Sequence, residues 1–221
     1  GTYWIVDDTA FRKKGRHSVG VARQYCGEIG KQDNCQAAVS VTLATAAGSI
    51  PIAWQLYLPQ EWADDPARRQ AAGVPPEVAF STKPQISLAQ LQQAVADGVV
   101  PGVVLADAAY GTNSEWRAGV AALGLRYSAG VVSSVIVWPP GVEPQPPAPW
   151  HGQGRPPVRH RRTADCQPMS VEALARSLPA QDWRTVQWRE GSNTPLSSRF
   201  AALRVRPAQG DRLRDIEWLL I

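Results

Sequence analysis

The chain has 221 residues, of which 44% are hydrophobic and 19% charged, and its formal net charge is +4. This composition is typical of a globular protein with a proper core, and the basic balance suits a polyanionic partner without requiring one. No apolar run approaches the roughly 18 residues of a membrane span. The cysteines, Cys26, Cys35 and Cys166, lack zinc-knuckle spacing and are expected to be free thiols in a reducing, cytoplasmic compartment.

The first third of the chain predicts a sheet. The apolar run YWIV (residues 3–6) predicts a buried strand that ends at two adjacent carboxylates, and a polar, glycine-punctuated stretch follows over residues 13–30. Alternating apolar residues over 35–45 and 50–59 flank a tight glycine turn, which predicts a β-hairpin. Residues 59–84 are rich in Pro, Ala, Asp and Arg and predict an irregular excursion.

The middle of the chain alternates helical and strand patterns. Residues 86–98 predict an amphipathic helix capped by Ser87, and residues 114–123 predict a second helix. The continuous apolar run over 99–107 is typical of a strand covered on both faces. A further strand is predicted over 125–132.

The last part of the chain predicts mostly strands. Residues 139–157 are too rich in proline and glycine for a regular element, and a helix follows over 171–178. Three strand-like segments come next, at 183–191, 197–207 and 215–221. The complete order of elements predicts a mixed α/β fold with a β-rich C-terminal part.

Two carboxylates occupy equivalent positions in this order. Asp7 and Asp107 each follow an apolar strand, at the sheet edge where ligands of open α/β sheets collect. If the two strands are neighbours, the carboxylates converge and would suit Mg²⁺ or Mn²⁺, as a pair of ions roughly 3.5–4 Å apart that acts on a phosphodiester. The alternative is that each aspartate only begins a turn, and spacing alone leaves both interpretations open.

Three segments resemble the catalytic domain of bacterial insertion-sequence transposases of the DDE type. They are VDDTAFRKKGRHSVGVARQYCGEIGKQDNCQ (residues 6–36), VLADAAYGTNSEWR (104–117) and WREGSNTPLSSRFAALRVR (188–206). The resemblance implies a ribonuclease H-like mixed sheet with flanking helices and a β-rich insertion in the C-terminal part. It also implies cleavage and joining of transposon-end and target DNA with two divalent ions, by a bacterial, nucleoid-associated protein that self-associates on DNA.

By the same resemblance, the chain divides into three parts. Residues 1–137 correspond to the ribonuclease H-like catalytic core with the first two acidic blocks, and 138–170 to a Pro/Gly/Arg-rich loop. Residues 171–221 correspond to the start of the β-rich insertion. The chain begins and ends in strand-like segments, so it is expected to be a piece of a longer protein that stops before the third catalytic acid.

The resemblance assigns roles to individual aspartates. Asp107 matches the second catalytic, metal-binding aspartate. The first is Asp7, from its Asp-x-Thr pattern, with Asp8 as the alternative because neighbours on a strand point to opposite faces. The third acid, a glutamate on a late helix, has no convincing match, since Glu190 and Glu217 lie in strand-like runs and Glu190 is the better of the two.

Basic residues in two places are candidates for DNA binding through the phosphate backbone. They are Lys13, Lys14 and Arg16, followed by His17, and the group Arg159, Arg161 and Arg162 in the proline-rich loop. The alternatives are a solvated loop and a disordered segment. The function that the resemblance implies is a DNA transposase. The alternatives are a ribonuclease H-like nuclease that only hydrolyses and a catalytically incomplete DNA-binding remnant.

Overall fold

The computed structural model describes residues 1–189, 194–210 and 212–221. Their contacts divide the chain after Val131 into two units, each with sheets of its own. Among the described residues, no helix combines the length and the apolar character needed to cross a membrane. All three cysteines are buried free thiols, as predicted.

The first unit is a six-stranded sheet with helices. Its strands are β1 Tyr3–Arg12, β2 Ala22–Cys26, β3 Lys31–Thr45, β4 Gly48–Leu56, β5 Val103–Ala106 and β6 Tyr127–Ala129. Its helices are α1 Gln60–Ala63, α2 Pro66–Ala71, α3 Lys83–Ala96, α4 Ala108–Gly111 and α5 Ser114–Ala122.

The sheet of the first unit is mixed. Its strand order is β2-β3-β1-β5-β6, with β4 also paired to β3. Strand β1 runs antiparallel to β3 and parallel to β5, and β5 runs parallel to β6. The parallel pairs require crossovers, which α3 supplies between β4 and β5 and α4 and α5 supply between β5 and β6. The predicted α/β, ribonuclease H-like fold with flanking helices is confirmed.

One face of this sheet forms the core. On β1, Trp4 and Val6 are buried and alternate with exposed Tyr3 and Ile5, so only one face of the strand is covered. The core cluster joins residues of β1, β3, α3, β5 and α5, among them Trp4, Val41, Ile86, Leu91, Val104, Trp116 and Val120. Helices α3 and α5 therefore pack on the same face of the sheet.

Several predicted boundaries in the first unit are wrong. Strand β1 does not end after Val6 but continues to Arg12, because β3 pairs with it along its whole length. The strand predicted over 99–107 is shorter, since Val99 donates to the carbonyl of Ala94 and completes the end of α3. The polar stretch 13–30 contains β2, and the excursion contains α1 and α2. The predicted hairpin is confirmed as β3 and β4.

The second unit has a four-stranded sheet and a two-stranded sheet. Its elements are β7 Ile136–Trp138, β8 Met169–Ser170, α6 Val171–Ser177, a 3₁₀ helix Ala180–Asp182, β9 Arg184–Arg189, β10 Leu196–Phe200, β11 Ala202–Pro207 and β12 Glu217–Leu220. The larger sheet has the order β12-β11-β7-β8, and β9 pairs with β10. Residues 139–168 form no helix or strand and contain only two isolated bridges.

The strand predicted over 197–207 is divided into two strands. Strand β10 pairs with β9 up to Phe200, whereas β11 pairs with β12 from Ala202 onward. Between them, Ala201 is buried and exchanges two backbone hydrogen bonds with Ile221. The division arises because the chain changes partner strands at this residue, which a sequence pattern does not reveal.

Candidate active site

Asp7 and Asp107 each follow directly on one of two residues that pair between neighbouring strands. In the parallel pair of β1 and β5, Val6 is the register partner of Ala106, and each is followed directly by an aspartate. Neighbouring strands are about 4.8 Å apart. The register therefore places the backbones of the two aspartates at neighbouring positions, and the convergence of their carboxylates stays a prediction.

Backbone amides hold one oxygen of each carboxylate. Asp107 caps α4 by accepting a hydrogen bond from the amide of Ala109 at Oδ1, 2.9 Å away. Asp7 Oδ1 accepts from the amide of Asp8 at 2.8 Å. Within the described residues, no hydrogen bond reaches the second oxygen of either carboxylate. Each aspartate is thus oriented by the backbone and has one oxygen available to a ligand.

Asp8 is placed differently, on the core side of β1. It lies on the same face as Trp4 and Val6, and its Oδ2 is 2.6 Å from Nζ of Lys83, the first residue of α3. Only 19% of the Asp8 side chain and 25% of the Lys83 side chain are exposed. Asp8 therefore already has a cationic partner. Sequence analysis missed Lys83, because it is 75 residues away along the chain.

Tyr110 is a third feature of the site that sequence analysis missed. It is fully buried one turn into α4, and among the described residues its hydroxyl has no hydrogen-bond partner. Burial raises the pKa of Tyr110 well above its usual range, and the charges of Asp8, Asp7 and Asp107 raise it further. The nearby Asp8 carboxylate also raises this pKa as an acceptor, although the hydroxyl forms no hydrogen bond with it in the described structure. The negative charges of all three carboxylates thus favour the protonated form of the buried Tyr110 hydroxyl.

Tyr110→Phe is expected to leave stability unchanged or raise it by about 1 kcal/mol, because a buried hydroxyl without a partner is costly. Thermal and urea unfolding measure the effect. Tyr25→Phe, at an exposed tyrosine, is the control and should change nothing. A loss of about 1 kcal/mol or more in Tyr110→Phe would instead mean that the hydroxyl forms a stabilising bond to Asp8.

The donor chemistry fits a divalent cation in part. The available oxygens of Asp7 and Asp107 are hard ligands of the type that Mg²⁺ and Mn²⁺ prefer. Within the described ranges, no group of three or more His, Cys, Asp or Glu side chains is arranged to hold a metal ion. Glu217 lies in β12, a strand, as predicted, and Glu190 lies outside the described residues. The two aspartates thus supply part of a ligand set.

The predicted DNA-binding residues are distributed over two concave surfaces. In the first unit, Lys14 and Arg16 line a cleft, whereas Lys13 bonds to Asn34 through its backbone. In the second unit, Arg159 and Arg162 line a pocket of about 260 Å³ beside Trp138. Arg161 instead donates from Nε to the carbonyl of Pro146 at 3.2 Å.

Comparison with known proteins finds one family and one curated relative. The family model described as DDE superfamily endonuclease matches residues 1–195. A probable transposase for insertion sequence element IS701 from Microchaete diplosiphon is 32% identical over 111 residues, which are 50% of this chain. The match covers 26% of that protein, so the chain corresponds to about a quarter of the relative's length.

Proposed function

Because this chain belongs to the DDE superfamily endonucleases, we propose that it is the catalytic part of an insertion-sequence transposase. It cleaves DNA at transposon ends and joins the freed end to target DNA. Residues 1–137 form the catalytic core, 138–170 a connecting loop, and 171–221 the start of the β-rich insertion. The observation that carries the proposal is the register of Asp7 beside Asp107, each with one available carboxylate oxygen.

In this proposal Asp7 and Asp107 would hold two Mg²⁺ or Mn²⁺ ions. Such ions lower the pKa of water and stabilise the leaving oxygen of a phosphodiester. The overall reaction forms a bond from a water oxygen to phosphorus and breaks the bond to the 3′ oxygen, which leaves as a 3′-hydroxyl. That hydroxyl then attacks a phosphodiester of the target: its oxygen forms a bond to phosphorus, the bond from that phosphorus to the target's own 3′ oxygen breaks, and this oxygen leaves with the proton as a 3′-hydroxyl. Because one phosphodiester replaces another, strand transfer needs no other energy source.

The chain's own residues orient this reaction. The amides of Asp8 and Ala109 fix the two carboxylates, so little reorganisation is needed when DNA binds. Tyr110 is fully buried in α4, the helix that Asp107 caps, and closes that part of the core to water. Lys14 and Arg16 hold the phosphate backbone, which gives affinity and register but no choice of sequence.

Asp7 is favoured over Asp8 as the first ligand. Asp7 is exposed and follows the register partner of Ala106, whereas Asp8 is paired with Lys83 at 2.6 Å. A cation that binds Asp8 would have to displace the ammonium group or tolerate its repulsion. Asp7 imposes neither cost.

Lys83→Met tests this choice by a binding measurement that needs no catalysis. If Asp7 and Asp107 hold the ions, Mn²⁺ affinity measured by calorimetry should change by less than about twofold, since Lys83 is not at the ligands. Unfolding should cost about 1 kcal/mol less free energy, because Asp8 loses its partner in a partly exposed site. Lys31→Met, at an exposed lysine, controls for net charge. A large gain in Mn²⁺ affinity in Lys83→Met alone would reassign the ligand to Asp8.

The function is tested by incubating the protein with Mn²⁺ and duplexes taken from the ends of the element that encodes it. Cleaved ends together with strand-transfer products support the transposase. Cleavage without joined products would favour a nuclease that only hydrolyses. DNA binding without any cleavage would favour a catalytically incomplete remnant, and neither binding nor cleavage would overturn the proposal.

A further inference from the structure

A basic cleft lies in the first unit, away from the carboxylates. Its volume is about 730 Å³, and its walls come from the loop after β1, from β2 and β3, and from α1 and α2. Five cationic or titratable basic side chains line it: Lys14, Arg16, His17, Arg23 and Arg68. The resemblance and the family assign no role to Arg23 or Arg68.

Arg68 is held rigidly at the base of this cleft. Its guanidinium carbon lies 3.8 Å from the ring centroid of Trp62, which is fully buried. Its Nη2 donates to the carbonyls of Arg16 at 3.2 Å and Val21 at 3.3 Å, and Trp62 Nε1 donates to the same Val21 carbonyl at 2.7 Å. The Arg68 guanidinium therefore stacks on buried Trp62 and, through its hydrogen bond to the Arg16 carbonyl, holds the loop that contains Arg16.

The side chains of Lys14, Arg16 and Arg23 carry the other positive charges of the cleft. Lys14, Arg16 and Arg23 are exposed, and no side-chain hydrogen bond or ion pair joins them to any residue that the structure describes. Both acids that line the cleft already have partners: Asp33 accepts from Arg12, which is not part of the lining, at 2.9 Å, and Glu61 lies 3.5 Å from Arg68, which leaves Lys14, Arg16 and Arg23 unpaired by them. Unpaired positive charges gathered around a concave surface attract an anion.

The Asp33 carboxyl is held in its ionised form. The amide of Asn34 and the guanidinium of Arg12 both lower the pKa of the Asp33 carboxyl below its usual range. Asp33 therefore stays ionised and neutralises Arg12, which leaves the cleft cations uncompensated.

The cleft and the carboxylates are separated along β1 by a distance that one nucleic-acid strand can span. Both are attached to β1, because Asp7 lies within that strand and the loop with Lys14 begins just after its end at Arg12. The five residue-to-residue steps from Asp7 to Arg12 span about 17 Å at roughly 3.3 Å per step. This length corresponds to about five nucleotides of duplex at 3.4 Å per step.

We propose that this cleft binds the DNA phosphate backbone about five nucleotides from the bond that is cut. Lys14, Arg16 and Arg23 supply the positive charge, and Arg68 is a positioning residue that fixes the Arg16 loop against Trp62. The contacts are to phosphates, so the cleft contributes affinity and register without reading sequence. This inference rests on the proposed function, because it takes DNA to be the polyanion.

The test measures binding of a fluorescently labelled 20-base-pair duplex to the whole 221-residue chain by anisotropy, without divalent ions. The variant Lys14→Gln/Arg16→Gln/Arg23→Gln should bind at least about tenfold more weakly at moderate salt, and the slope of log affinity against log salt should fall by about two to three. All three side chains are exposed, so folding should be unaffected, as thermal unfolding checks.

A matched pair of single variants controls for charge. Arg23→Gln should reduce the salt slope by about one, whereas Arg126→Gln should not. Arg126 is also exposed, but it lies just before β6 at the opposite edge of the sheet from β2. Equal effects of the two variants would mean that only net charge matters, and would overturn the cleft as a site.

Arg68→Lys tests the positioning role because it keeps the charge. DNA affinity should fall about threefold, with the salt slope nearly unchanged, since the loop is released but no phosphate contact is removed. Unchanged affinity at a temperature where the variant is folded would remove Arg68 from the proposal.

The outcomes separate the cleft from the catalytic proposal. Unaltered binding by the triple variant overturns the cleft and leaves cleavage at Asp7 and Asp107 untouched. If the triple variant binds DNA more weakly, the cleft is supported. If cleavage also turns out not to depend on Asp7 and Asp107, the catalytic assignment is overturned while the cleft stands. If the unchanged chain binds no duplex, both fail.

Discussion

Asp107→Asn is expected to reduce Mn²⁺-dependent DNA cleavage by at least about a thousandfold. Ligand loss at a two-ion site removes several kcal/mol of transition-state stabilisation, and about 1.4 kcal/mol corresponds to a factor of ten in rate. The fold should survive, because an asparagine oxygen can still accept the amide of Ala109 and cap α4. The nicking rate on a transposon-end duplex and the unfolding temperature measure the two effects separately.

The remaining aspartates make this prediction specific. Asp7→Asn should match the loss in Asp107→Asn, and Asp8→Asn should lose less, because Asp8 is paired with Lys83. Asp97→Asn is the control, since the Asp97 side chain is exposed and, among the described residues, accepts a hydrogen bond only from the side chain of Gln93, one turn earlier. A loss in Asp8→Asn but not in Asp7→Asn would correct the ligand assignment. Normal cleavage by Asp107→Asn would remove the mechanism.

Gly111→Ala is expected to destabilise the first unit by about 3 kcal/mol, at the upper end of overpacking effects. A Cβ at Gly111 would clash with the carbonyl oxygen of Gly130 and lie 2.7 Å from Cβ of Ala129. Neither neighbour is the end of a flexible side chain, so α4 or the end of β6 has to move. Because α4 begins at Asp107 and contains Tyr110, cleavage should fall together with stability. Urea unfolding and the nicking rate are the measurements.

Gly27→Ala is the matched control for this change. No atom lies within 4 Å of a Cβ built at Gly27, and Gly27 is not among the glycines with positive φ. Its unfolding free energy should therefore change by less than about 1 kcal/mol. Equal stability of Gly111→Ala and Gly27→Ala would show that α4 can move away at no cost.

Much of the fold could be predicted from local patterns. The alternation around the glycine turn identified the β3–β4 hairpin, and helical spacing identified α3 and α5. The predicted cap of α3 was wrong. Helix α3 begins at Lys83, because Thr82 and Gln85 form a reciprocal capping box and Pro84 suits the first turn. Ser87 is instead buried and accepts a hydrogen bond from Trp116 Nε1.

The candidate site could be predicted only in part. Two aspartates that each follow an apolar run can be expected to meet, and the β1–β5 register pairs the residues that precede them, Val6 and Ala106. The Asp8–Lys83 pair and the buried Tyr110 depend on how α3 and α4 pack against the sheet. Periodicity within one segment carries no information about such contacts.

The basic cleft illustrates the same limit. Proline and charge made residues 59–84 look irregular, yet two short helices there place Trp62 and Arg68 against Val21. The contact between Trp62 and Val21 joins residues 41 positions apart. It depends on tertiary packing, which the composition of the segment does not encode.

The 15-residue strand β3 has a consequence for how the protein loses activity. Its middle is hydrogen-bonded to β1 and to β4, and its beginning to β2. Loss of one neighbouring strand therefore leaves β3 hydrogen-bonded to the others, and the first unit should unfold as one cooperative block. The backbone of Asp7 belongs to that block, so we expect Asp7 to keep its place until the whole first unit melts, and under the proposed function heat inactivation should coincide with the unfolding of that unit.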